Sequence, residues 1–147
     1  MECGQTSGRI FKQSRREGTA LVGIVIVSHS QKLAEGVKEL AEMMARDAQI
    51  AAAGGLDDGM LGTSYEKITL AVEEVCGHDG AVILMDMGSA VMTAELVQEK
   101  LKDDMVKLVD CPLVEGAVLA AIAANGGAGV AEVAQQAESA RQMMKLQ

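Results

Sequence analysis

From Val22 onward the sequence alternates between two hydrophobic patterns. Short runs that are apolar at every position are separated by longer segments in which apolar residues return every three or four positions. The run Val22 to Val27 is β-branched and apolar on both faces, as a central strand between two helical layers must be. Leu33, Val37, Leu40 and Met44 then predict a helix over 31–46. A weaker strand is predicted from Gln49 to Ala53, closed by Gly54-Gly55, and Leu56-Asp-Asp-Gly-Met-Leu-Gly62 reads as a loop. Thr63, three residues before Glu66, has the capping-box pattern and opens a helix with Ile68, Ala71, Val72 and Val75 on one face.

Ala81 to Met85 is a second fully apolar strand. Asp86-Met87-Gly88-Ser89 follows it, and Ala90, Ala94, Val97 and Leu101 stripe the next helix. Met105 to Val109 predicts a fourth strand. Pro112 stands where a helix can start without losing a needed N–H. Val114, Ala117, Val118, Ala121 and Ile122 continue that helix to a stop at Asn125-Gly126-Gly127. A last helix over 130–145 would present Val130, Val133, Ala134, Ala137 and Met144. The alanine-rich faces of these last two helices suit close packing on a sheet or on a second subunit. Strands alternating with helices predict an α/β/α sandwich around a mainly parallel sheet; if its order is 2-1-3-4, with room for an additional edge strand, the order reverses between strands one and three.

Composition narrows the function classes. Phe11 and Tyr65 are the only aromatic residues, which leaves no stacking platform for single-stranded nucleic acid. The formal charge is −8, although the first 20 residues are net basic, so the body is strongly acidic. Such a body repels phosphate backbones and anionic membrane surfaces, and neither nucleic acid nor membrane is an expected partner. Cys3, Cys76 and Cys111 make neither a disulfide framework nor a zinc pattern, which suits a reducing, cytoplasmic setting. Basic residues before the run Ala20 to Val27 have a signal-peptide outline, but the run is short, and cleavage after it would remove the best strand. Residues 1–21 are instead expected to be a disordered leader or upstream extension, with the folded domain spanning 22–147.

The candidate chemistry sits where the sheet order reverses. In open α/β sheets, ligands gather outside the carboxyl ends of the strands at that point. The loop after strand one carries Ser28-His29-Ser30 and the loop after strand three carries Asp86-Met87-Gly88-Ser89. A neutral imidazole is a good nucleophile toward phosphorus, and a carboxylate such as Asp86 could hold its other ring nitrogen. N–H groups at Gly88 and Ser89, opening a helix, are candidate donors to phosphoryl oxygens, as are the hydroxyls of Ser28, Ser30, Thr63 and Ser64. Each has a plainer role: Asp86 and Thr63 could be helix caps, and His29 a loop residue. His78 lies in a turn and is given no role. Asp57-Asp58 lacks the further ligands of a metal loop, so no metal site is expected. G-x-x-x-x-G-K-[ST], G-x-S-x-G and G-x-G-x-x-G are all absent, which counts against a P-loop, a nucleophile elbow and a dinucleotide fold.

Four segments in this order resemble one family: Val22-Gly-Ile-Val-Ile-Val-Ser-His-Ser30, Gly54-Gly55 with Gly62-Thr-Ser64, Met85-Asp-Met-Gly-Ser89, and Pro112-Leu-Val-Glu-Gly116. They look like the phosphotransferase subunits of phosphoenolpyruvate-dependent dihydroxyacetone kinase, which are similar to the mannose-type IIA domains of the sugar phosphotransferase system. The resemblance implies that His29 accepts a phosphoryl group from the phosphocarrier protein HPr. The group then passes to ADP held in the partner subunit DhaL, and the ATP formed serves DhaK. It implies that Asp86 orients His29 and that the tele nitrogen carries the phosphoryl group, although the residues alone do not choose between the ring nitrogens. It further implies a homodimer, with no cofactor in this chain because the nucleotide sits on the partner. Some family members carry fused HPr-like and enzyme I-like domains, for which 147 residues leave no room, so the chain resembles either the stand-alone form or an excised N-terminal domain of a longer protein. The alternatives are the IIA subunit of a mannose-type sugar transporter, a non-catalytic flavodoxin-like binding module, and a serine hydrolase using Ser28 or Ser30.

Overall fold

The computed structural model describes residues 21–147. The expectation of a disordered leader at the N-terminus falls on residues outside this range. Four parallel strands, β1 (Gly23–Ser28), β2 (Gln49–Gly54), β3 (Ala81–Met85) and β4 (Val106–Val109), form one sheet of order β2-β1-β3-β4. No further edge strand joins it among the described residues. Between and after the strands run α1 (Gln31–Met44), α2 (Tyr65–Val75), α3 (Ser89–Leu101), α4 (Leu113–Asn125) and α5 (Val130–Glu138).

Alternation along β1 divides the core into two halves. Ile24 and Ile26 face Ala34, Val37 and Ala41 of α1, the alanines of α4, and Val133 and Ala137 of α5. Val25 and Val27 face the opposite way, onto Ile68 and Val72 of α2 and Ala90, Ala94 and Val97 of α3. All six residues of β1 are buried, which is why its sequence shows no polar alternation.

Three expectations are corrected. In α1 the sheet-facing line is Ala34, Val37 and Ala41, whereas Leu33, Leu40 and Met44 lie one position round the helix and are exposed. Close approach explains the choice: a Cβ added to Gly54 would stand 2.8 Å from the Ala34 Cβ, so the sheet tolerates only small residues there. By the same preference α4 buries the alanine-rich face expected to pack closely, with Gly116, Ala117, Ala120, Ala121 and Ala124 inside and Val114 and Ile122 exposed. The final helix ends at Glu138 and tightens into a 3₁₀ turn, Ser139–Gln142, leaving Met144 exposed. There the Ser139 hydroxyl donates back to the Gln136 carbonyl at 2.6 Å, a local bond that competes with α-helix continuation. The cap of α2 is Ser64, not Thr63: the Ser64 hydroxyl accepts from the Lys67 N–H at 3.1 Å.

Candidate functional site

The site is assembled at the carboxyl ends of β1 and β3, on either side of the order reversal. His29 immediately follows β1 and Asp86 immediately follows β3. Parallel pairing brings Val27 opposite Met85, and the Asp86 N–H continues the ladder to the Val27 carbonyl at 3.0 Å. The two side chains therefore meet because each is the first residue past its own strand. The His29 carbonyl accepts from the Gly62 N–H at 2.9 Å, which ties the loop after β2 to the same point. Lys67 steadies that loop by donating its ammonium to the carbonyls of Gly54 (2.9 Å) and Leu56 (3.2 Å).

Asp86 is the organising group. Its Oδ2 accepts from the Ser28 hydroxyl and the His29 N–H, both at 2.9 Å, and its Oδ1 accepts from the Met87 N–H at 2.6 Å. The same Oδ1 lies 3.0 Å from His29 Nδ1. Burial pushes this carboxyl up, but the hydrogen bonds from the His29 and Met87 N–H groups, Ser28 and the imidazole outweigh it, and the net shift is downward. An ionised Asp86 has only acceptors to offer, so the proton between the two side chains belongs on Nδ1. That leaves Nε2 with its lone pair, 2.8 Å from the Ser89 hydroxyl, on a side chain that is 30% exposed.

Ser89 is placed by an unusual turn. Gly88 has φ 52° and ψ −118°, the first central position of a type II′ turn, and the Ala90 N–H closes it on the Met87 carbonyl at 3.0 Å. Gly88 is thereby the N-cap of α3, and the reading of Asp86 as a cap is replaced by its bonds to Ser28 and His29. Among the described residues no protein acceptor takes the N–H groups of Gly88 and Ser89, which open α3. Unfilled donors at a helix N-terminus are a setting for an anionic group.

The hydroxyl candidates separate by what they touch. Ser28 is fully buried; it donates to Asp86 and accepts from the Ser30 N–H at 3.0 Å. Ser30 caps α1 through the Leu33 N–H, and Ser64 caps α2. Ser89 and Thr63 stand together by the imidazole, with Thr63 Oγ1 3.4 Å from Ser89 Oγ. Thr93 completes this hydroxyl group and was not singled out in the sequence. Its spacing held a signal, because Thr93 is four residues after Ser89 and so lies on the same face of α3. His78 sits in the turn between α2 and β3, away from these strand ends. Among the described residues no group of three or more metal-ligating side chains converges, and no helix is long and apolar enough to cross a membrane.

The fold and this geometry define a class: a parallel α/β domain with a carboxylate-held histidine and open helix N–H groups at its switch point. The chain belongs to the family described as the PTS system fructose IIA component, whose model matches residues 23–134. It is 42% identical over 120 residues to the phosphoryl donor subunit DhaM of PEP-dependent dihydroxyacetone kinase from Escherichia coli, covering 77% of this chain and 25% of that protein. With the corresponding Providencia stuartii subunit it shares 37% identity over 134 residues, 86% of this chain and 28% of that protein. The chain thus spans little more than a quarter of the length of these two relatives. The phosphotransferase subunit DhaM of PTS-dependent dihydroxyacetone kinase from Lactococcus lactis subsp. lactis is matched along 93% of its length, at 38% identity over 79% of this chain. A solved structure of a protein of unknown function aligns with a TM-score of 0.73 and 32% identity, covering 82% of this chain and 95% of that one.

Proposed function

We propose that this chain is a phosphohistidine carrier of a phosphoenolpyruvate-dependent dihydroxyacetone kinase, taking a phosphoryl group on His29 from HPr and passing it to ADP bound in DhaL. The observation that carries this reading is the pairing of His29 Nδ1 with Asp86 Oδ1 at 3.0 Å, which leaves the Nε2 lone pair at the site's edge, facing the Ser89 hydroxyl at 2.8 Å. The chemistry follows from that arrangement. Nε2 attacks the phosphorus of the donor's phosphohistidine; the P–N bond to the donor breaks as the bond to Nε2 forms, and the proton stays on Nδ1, hydrogen-bonded to the Asp86 carboxylate. The phosphorylated ring is then cationic, and the carboxylate beside it offsets that charge. Ser89 and the N–H groups of Gly88 and Ser89 supply donors to the phosphoryl oxygens. In the second half-reaction a terminal phosphate oxygen of ADP attacks, the P–Nε2 bond breaks, and neutral imidazole leaves.

The names of the DhaM relatives support the kinase system, and the family description supports the phosphotransferase system more broadly. In this reading the chain is a phosphotransferase component, works in the cytoplasm, and needs no cofactor of its own. Homodimerisation is part of the proposal: exposed Leu40, Met43 and Met44 on α1 and Val114 and Ile122 on α4 offer apolar surface to a second copy.

The description of the family as a fructose IIA component keeps the sugar-transporter reading in play, and one assay separates the two. The chain is phosphorylated with phosphoenolpyruvate, enzyme I and HPr, then offered DhaL with ADP or a sugar-transporter IIB protein. The expected result is one acid-labile, alkali-stable label at His29, lost in His29→Ala and discharged by DhaL with ADP. Labelling that survives His29→Ala overturns the carrier assignment, and discharge to the IIB protein alone overturns the kinase assignment.

A further inference from the structure

The hydroxyls of Thr63, Ser89 and Thr93 form a chain that ends at the reactive nitrogen, and their protons can be assigned one by one. Each hydroxyl has one proton to give and lone pairs to receive. The Thr93 hydroxyl donates to the Ser89 carbonyl at 2.7 Å, one turn back along α3. Its oxygen is therefore left as an acceptor for Thr63 Oγ1, which lies 3.1 Å away. On the other side, His29 Nε2 presents a lone pair, so the Ser89 hydroxyl at 2.8 Å donates to it. Thr63 is thus the one member whose proton rests on another side-chain hydroxyl and can be withdrawn without leaving a backbone carbonyl bare.

From this we infer that Thr93 is a positioning residue for phosphoryl transfer: it holds the Thr63 hydroxyl in place beside Ser89 as a second donor for a phosphoryl group on His29 Nε2. The inference rests on the carrier reading above. While Nε2 is unmodified, the Thr63 proton stays on Thr93. When Nε2 is phosphorylated, its lone pair is consumed. Ser89 then turns its proton to a phosphoryl oxygen, and Thr63, 3.4 Å from Ser89 Oγ, swings from Thr93 to a second oxygen. Thr93 itself touches neither the imidazole nor the transferred group. It acts by fixing where the Thr63 oxygen sits: its own proton is committed to the Ser89 carbonyl, so toward Thr63 it can only accept. Thr63 is free for this because Ser64, not Thr63, caps α2.

The test is a double-mutant cycle on the full chain with Thr63→Val and Thr93→Val, each isosteric and lacking only the hydroxyl, and with Thr93→Ser as the rescue. Rapid-quench transfer from phosphorylated HPr, thermal melting, and the ³¹P shift of phosphorylated His29 are recorded for each. Thr63→Val is expected to slow transfer about tenfold, the scale of one hydrogen bond to a charged group. Thr93→Val should slow it by a smaller factor and move the ³¹P shift, with Thr93→Ser restoring both. The double variant should be no slower than Thr63→Val, because Thr93 acts only through Thr63. Thr93→Val at the wild-type rate, losses that multiply in the double variant, or a Thr63→Val protein with unchanged transfer would each overturn the inference. If Thr93→Val does not fold, Thr63→Val alone decides. A wild-type chain that takes no label from HPr counts against the carrier reading itself, whereas a labelled wild type with an indifferent Thr93→Val removes only the role of Thr93.

Discussion

At the residue scale the account turns on Asp86, which receives four hydrogen bonds through two oxygens. Replacing one oxygen with an amide in Asp86→Asn sets a donor against the Ser28 hydroxyl and the His29 N–H, or against the Met87 N–H and Nδ1. Either way a partner is lost and the imidazole is no longer held in one tautomer. Phosphoryl transfer from HPr is expected to fall about a hundredfold, the cost of a misplaced reacting group, while circular dichroism still shows an α/β fold. The carboxyl also leaves a mark on stability. Its folded pKa is depressed below 3.8, so its contribution is fully present above that value and is lost as pH falls through the folded pKa. Chemical denaturation of wild type and Asp86→Asn across this acid range should show the wild-type advantage shrinking as pH falls. A constant difference would mean that the carboxylate's ionisation does not support the fold.

At the element scale, strand ends and helix starts determine where the site residues stand. His29 lies between β1 and the cap of α1, and the first turn of that helix presses on β2. A Cβ added to Gly54 would stand 2.5 Å from the Ser30 carbonyl oxygen and 2.8 Å from the Gln31 Cα. Gly54→Ala must push α1 away from the sheet, and overpacking of this kind costs about 1–3 kcal/mol. The expected outcome is a lower unfolding midpoint together with slower labelling of His29, because Ser30 and His29 move with the helix. Unchanged melting would show that α1 does not approach the sheet so closely. The elements were the most legible part of the sequence. The unbroken apolar runs announced buried parallel strands, and the Ile68-Ala71-Val72-Val75 and Ala90-Ala94-Val97 stripes are the faces that α2 and α3 bury. In α1 the spacing of Leu33, Leu40 and Met44 marks the wrong side, because tight packing against the sheet selects alanine, whereas in α4 the alanine-rich face expected to pack closely is the one buried. Hydrophobic periodicity finds a helix more readily than it finds the side that needs small residues.

At the scale of the whole molecule, strand order converts separate loops into a site. The βαβ pattern announces parallel strands but not their order; the supposed order 2-1-3-4, which sets the loops after strands one and three facing each other, is the one the structure has. It brings together His29 and Asp86, 57 positions apart in sequence, with Ser89 beyond them. What the sequence could not separate was the duty of each hydroxyl. Ser30 and Ser64 serve as caps, Ser28 serves Asp86, and Thr63 is released to the site by a one-residue shift in the start of α2. Such shifts depend on which side chain reaches the helix N–H groups in space, and Thr63-Ser64 offers two chemically similar choices. Thr93 was missed for a related reason, since a threonine inside a helix carries no motif of its own. The acidic, aromatic-poor body surrounding this site accords with a protein partner more than with nucleic acid.

The central claim is that His29 takes and yields the phosphoryl group through Nε2 while the Asp86 carboxylate holds the other ring nitrogen, Nδ1, in its protonated form. Nitrogen-15 correlation spectra of the chain, recorded after treatment with phosphoenolpyruvate, enzyme I and HPr, test it most directly. The account expects phosphorus coupled to Nε2 of His29 and a proton retained on Nδ1. Phosphorus on Nδ1, or an unmodified His29 beside a labelled residue elsewhere, would contradict it.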